Sequence, residues 1–140
     1  MQGGKIAKIE KRIYELLNEV DHALEDKYDD KYRLHPSRPE RGQTSNPTRD
    51  GLINITAKFT TGIGSQHGKG YNVDIRLKTL ENVDKEVLEE IDEIALNLIK
   101  EKLPDFFPER KLEISRDGNV IKIHGDFFLG SIWSELNNSV

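Results

Sequence analysis

Apolar residues recur at steps of three and four from about Lys5 to Tyr28, at Ile6, Ile9, Ile13, Leu16, Val20 and Ala23. That spacing returns to one side of a 3.6-residue turn and predicts an amphipathic helix. Leu17 and Leu24 make the stripe wider than a coiled-coil seam, so it is expected to pack on a domain core, with a homodimer through this helix as the alternative. From Leu52 the period drops to two. Ile53, Ile55, Ala57 and Phe59 alternate with Asn54, Thr56 and Lys58, and beyond a glycine-rich stretch Tyr71, Val73, Ile75 and Leu77 alternate with Asn72, Asp74, Arg76 and Lys78. Two strands follow, each with one face for a core and one for water or a partner.

The helical period returns from about Asp84 to Leu103, with Val87, Leu88, Ile91, Ile94, Ala95, Leu98 and Ile99 on the apolar side, Asp84 placed to cap and Pro104 expected to end the helix. Lys111 to Arg116 and Asn119 to His124 read as strands joined through Asp117-Gly118, a pair suited to the positive φ angles of a tight hairpin. Phe127, Phe128, Leu129, Ile132 and Trp133 are expected to fold back as core or as an edge element, and Phe106 and Phe107 to pin the connection after the second helix.

The order α-β-β-α-β-β predicts an α+β fold, a two-layer α/β sandwich with a four-stranded sheet and two helices on one face. A length of 140 residues fits a single domain, 1–140. A helix of about 20 residues spans roughly 30 Å, close to the length of the strands, so the second helix should carry the chain back along the sheet. A right-handed crossover then makes the third strand run parallel to the second. On this reasoning Pro104–Arg110 and Asp126–Gly130 share one end of the sheet with the 62–70 loop, and the segment entering the first strand lies at the other.

Residues 29–50 break both periods. Pro36, Pro39 and Pro47 are interleaved with Arg, Ser, Thr, Asn and Gly, giving a long polar loop or an ordered extended arm. Charge concentrates from here onward: Arg33 to Lys78 holds eight Lys or Arg against three acids, a local +5 inside a chain of net charge -4. Such segregation favours an anionic ligand at the basic segment and argues against indiscriminate nucleic-acid binding, although pairing with the acidic helices would satisfy the same charges.

With no Cys, disulfides, thiolate metal sites and a cysteine nucleophile are excluded. The start Met1-Gln2-Gly3-Gly4-Lys5 resembles neither a signal peptide nor a myristoylation site, and no apolar window approaches a membrane span. A cytoplasmic location without membrane attachment is the expectation. His22, His35, His67 and His124 are scattered and share no metal-ligand spacing; His22 and Asp26, four apart, fit an ordinary helix surface. No metal, cofactor or catalytic residue is assigned.

Two segments carry candidate chemistry. Gly62, Ile63, Gly64, Ser65, Gln66, His67, Gly68, Lys69 and Gly70 form a hairpin loop whose backbone amides could wrap an anion while Lys69 supplies charge. It joins strand to strand, which excludes a dinucleotide fingerprint, and Gly70 follows Lys69 where a P-loop needs Ser or Thr. The arm from Arg33 to Gly42 spaces guanidiniums with prolines, and Arg38 and Arg41 could present forks to phosphates or carboxylates. The open sheet face lacks the aromatics that stack on RNA bases. These features point to a non-enzymatic binding or assembly module contacting an anionic or protein partner through Gly62, Gly64, Ser65, Gln66, His67, Gly68, Lys69, Arg38 and Arg41. The alternative is a small hydrolase or transferase with Ser65, His67, Lys69 and Asp126 near one cleft.

Overall fold

The computed structural model describes residues 2–61, 69–117 and 120–125. Helix α1 spans Gln2–Tyr28, strands β1 and β2 span Ile53–Thr60 and Gly70–Leu77, helix α2 spans Lys85–Phe106, and strands β3 and β4 span Leu112–Asp117 and Val120–Gly125. This is the α-β-β-α-β-β order read from the periodicities. A single 3-10 turn, Pro47–Arg49, interrupts the arm before β1.

The four strands lie in the order β1-β2-β4-β3. β2 and β3 do run in the same direction, as the crossover argument requires, but β4 inserts between them and every neighbouring pair is antiparallel. The inserted strand allows each hairpin to keep its local pairing while the two hairpins join through β2 and β4. In the register Thr60 faces Gly70, Gly70 faces His124 and Gly125 faces Leu112. The ends that flank the 62–68 loop, the α2–β3 connection and the end of β4 therefore share one edge of the molecule, as expected. Asp117 pairs with Val120 and belongs to β3, one residue beyond the expected strand end at Arg116, and Gly118 of the expected Asp117-Gly118 turn lies outside the described residues.

Both helices cover one face. α1 and α2 run antiparallel, with Arg12 bonded to Glu109 at 2.7 Å, Lys102 to Glu19 at 3.2 Å and the Tyr28 hydroxyl to Glu90. The core between helices and sheet joins Ile9, Ile13, Leu16, Leu17, Val20 and Leu24 of α1 to Ile91, Ala95, Ile99 and Leu103 of α2 and to Ile53, Ile55, Tyr71, Val73, Ile121 and Ile123 of the sheet. The α1 stripe thus faces its own chain's core. Two expected positions depart from it: Ala23 and Leu88 are exposed, because the buried line on α1 drifts through Asp21 and Glu25 to Tyr28, and that on α2 runs 91-95-99-103. The Ile6 side chain falls outside the described ones.

Helix α2 passes through Pro104 and ends at Phe106. Proline lacks the N–H that would return to Lys100, a loss tolerated in an exposed last turn, and the Phe107 N–H closes the helix on the Leu103 carbonyl at 2.9 Å. Asp84 holds the N-cap position, but its carbonyl, not its carboxylate, does the bonding, to the N–H groups of Val87 and Leu88. Phe107 is buried, in keeping with an anchoring role. Asp126, Phe127, Phe128, Leu129, Gly130, Ile132 and Trp133 lie outside the described residues.

Candidate functional site

The arm is ordered and docked. His35 N–H donates to the Lys78 carbonyl at 2.8 Å, and Gly51 N–H donates to the Pro39 carbonyl at 2.9 Å, so the arm is tied to the end of β2 and to its own exit. Within it, the Asn46 side chain accepts from Thr48 N–H at 3.1 Å and caps the 3-10 turn, as Asn does where backbone donors have no helical partner. Thr44 and Asp50 close the loop: the Asp50 carboxylate accepts from Thr44 N–H at 2.9 Å and from its hydroxyl at 2.8 Å.

Arg38 is the arm's central pin. Its Nε donates to the Gly51 carbonyl at 3.0 Å, and its Nη2 reaches the carbonyls of Thr48 at 2.7 Å, Asp50 at 3.2 Å and Ile53 at 3.3 Å. A planar guanidinium suits this convergence, which an ammonium could not reproduce. Arg41 turns the other way and pairs with Asp26 at 2.7 Å and Asp29 at 3.2 Å at the C-terminal end of α1. The hydrogen bond from Asp26 outweighs burial and lifts its guanidinium above the ordinary value. Both arginines singled out for anion binding are therefore spent on the chain itself.

Beneath the arm, α1 presents Asp21 and Glu25, 2% and 1% exposed, toward Asp50 at 2%. The two oxygens of Glu25 accept the N–H groups of Leu52 at 2.6 Å and Ile53 at 2.9 Å, satisfying the donors that open β1. Gly51 adopts φ +70, and a Cβ there would stand 2.7 Å from Glu25 Oε1, so this corner requires glycine twice over. Burial acts to raise Asp50, but the Thr44 bonds and the Arg38 charge hold it below the usual carboxylate range. Asp21 differs. Its Oδ2 is buried with no hydrogen-bond partner among the described residues, and burial, reinforced by Glu25, pushes its pKa up to about 8. No group of three His, Asp or Glu among the described residues is arranged to hold a metal ion.

On the far side of the sheet, a groove of about 520 Å³ runs over β1 and β2 and is lined by Asn54, Thr56, Lys58, Asn72, Asp74, Arg76, Lys78 and Val120. Cross-strand pairing sets the pattern: Asn54 faces Arg76, Thr56 faces Asp74 and Lys58 faces Asn72. Arg76 bonds Asp74 at 2.7 Å, while Lys58 and Lys78 have no ion-pair partner among the described residues. The same face closes toward β4, where Lys122 and His124 are buried and the Ser115 hydroxyl lies 2.9 Å from His124 Nε2, bridging β3 to β4.

A family model described as "Uncharacterised protein" matches residues 4–125. The chain belongs to that family. It is also similar, at 38% identity over 128 residues, to an uncharacterized protein of Borreliella burgdorferi, with 91% of this chain and 100% of the relative covered. No solved structure matches. The family match takes in both helices, the arm and all four strands, hence the groove and the acidic dock together.

Of the residues picked from the sequence, Arg38 and Arg41 sit at the start of β1 and Lys69, exposed, adjoins β2 at the opposite end. Gly62, Gly64, Ser65, Gln66, His67 and Gly68 lie outside the described residues, as does Asp126. Asp21 and Glu25 were missed as partners of the arm. Their signal was present: steps of four from Leu17 through Asp21 to Glu25 put two acids on the apolar side of α1.

Proposed function

We propose that this protein is a non-enzymatic binding module whose groove over β1 and β2 receives an acidic segment of a protein partner. The observation that carries this reading is the pair of ammoniums, Lys58 and Lys78, that have no ion-pair partner among the described residues and flank Arg76 in a concave polar surface of about 520 Å³. Asn54, Asn72 and Thr56 add donors and acceptors of the kind that satisfy an extended backbone. The groove has no aromatic lining, which disfavours nucleobases and leaves charge and amide recognition as its chemistry. Lys69, exposed, adjoins the start of β2 beside the 62–68 loop, and a contribution from Lys69, Gly62, Gly64 and the rest of that loop belongs to the same proposal. A cytoplasmic location belongs to it too, on the sequence grounds given above. Among the described residues no helix is long and apolar enough to cross a membrane.

Fluorescence anisotropy with a labelled Asp/Glu-rich peptide tests the reading, with a single-stranded oligonucleotide as the comparison. The full chain is expected to bind the peptide, more weakly as salt is raised, and the double reversal Lys58→Glu with Lys78→Glu should weaken binding by about tenfold or more. Equal binding by the reversed variant, or binding of the oligonucleotide alone, would overturn it.

A further inference from the structure

We propose that seating of the 29–50 arm on α1 is proton-dependent, with the buried carboxyl of Asp21 as the group that holds the proton in the seated state. Three carboxyls, Asp21, Glu25 and Asp50, are nearly sealed from water at one corner. Both oxygens of Glu25 are occupied by backbone N–H groups, and Asp50, held below the usual carboxylate range, accepts the two Thr44 bonds. The compensating guanidinium of Arg38 directs its donors to four carbonyls, and Arg41 directs its own to Asp26 and Asp29. Among the described residues, Asp21 is left with an unpartnered buried oxygen, and Asn18 Oδ1, one turn earlier on the same helix, is likewise buried without a partner. A third negative charge here would be both desolvated and repelled.

The charges acting on Asp21 come from each segment packed around it. Burial is the largest influence, Glu25 from α1 and Asp50 from the arm's end add to it, and Arg38 and Arg41 from the arm oppose. The outcome is a carboxyl that titrates near pH 8 when the arm is seated and near the ordinary aspartate value of about 4 once the arm lifts and water enters. Between those two values the seated state holds one more proton than the released one. Rising pH therefore favours release across that window and has no further effect above it. Seating of the arm does not depend on what the groove binds.

Hydrogen exchange on the full chain reads the equilibrium directly at amides that only the seated arm protects, those of His35, Thr44 and Gly51. Their protection, corrected for intrinsic exchange, is expected to fall about tenfold per pH unit between about pH 5 and 7 and to level off above about pH 8. Asp21→Asn, neutral at every pH, should give a flat profile. A flat wild-type profile, or the same slope in Asp21→Asn, overturns the proposal. If the variant does not fold, carboxyl ¹³C titration of the wild-type chain decides: an Asp21 midpoint in the ordinary aspartate range overturns it, and one near 8 supports it.

Discussion

Glu25 shows how much one side chain can organise when it is buried with its partners. Its carboxylate takes up the N–H groups of Leu52 and Ile53, and the chain reaches it by a glycine whose Cβ space the carboxylate fills. Glu25→Gln keeps the shape but offers an NH2 where an acceptor is needed, leaving a buried donor unsatisfied. A loss of about 2–4 kcal/mol is expected in urea unfolding, and a loss below about 0.5 kcal/mol would show that the corner does not depend on this charge. The sequence marks these residues only by position. Asp21 and Glu25 fall on the apolar line of α1, yet their acidity suggests a solvated face, because burial of a carboxylate becomes reasonable only when its donors are known. Arg38 presents the converse problem. Its type and its proline-rich setting suggest a fork offered to a phosphate or carboxylate, and they do not reveal that its acceptors are carbonyls 10 to 15 residues further along the same chain.

Elements were more legible than residues. Both helices and all four strands follow from periods of 3.6 and 2, since each is amphipathic and half-buried, and the periods survive small errors at the ends. The boundaries moved where a local rule met a stronger neighbour: α2 runs through Pro104, and β3 extends to Asp117, which pairs with Val120 while Ile121 and Ile123 lie in the core. Strand order was not legible, because periodicity identifies a strand's buried face and not its neighbour. Gly70 is the residue that permits the observed order. A Cβ there would stand 2.1 Å from the Ile123 carbonyl, so β2 and β4 can approach only with glycine at that point. Gly70→Ala should cost roughly 1–3 kcal/mol or more, seen as a lower thermal midpoint. An unchanged midpoint would mean that this pairing is looser than the register implies.

At the scale of the whole molecule, the +5 segment legible in the sequence divides into two uses. Arg38 and Arg41 neutralise the acidic side of α1 from within, while Lys58, Arg76 and Lys78 remain on the opposite surface, facing away from the acidic helices. Charge counting located the segment but not the division, which depends on the arm folding back on α1. Lys58 and Lys78 make no ion pair among the described residues, and charge changes at solvated surface positions alter stability little, so the Lys58→Glu with Lys78→Glu reversal should leave the unfolding stability nearly unchanged, within about 0.5 kcal/mol, and its effect on binding can be read as a surface effect. The position of β4 reaches beyond the finished fold. Because the last described strand lies between β2 and β3, a chain emerging from the ribosome has two partial structures and no complete sheet until residue 125 is free. A version ending at Asp117 should therefore lack a cooperative thermal transition, and during synthesis the inner edges of β2 and β3 stay available to chaperones, or to other nascent copies, until β4 has emerged.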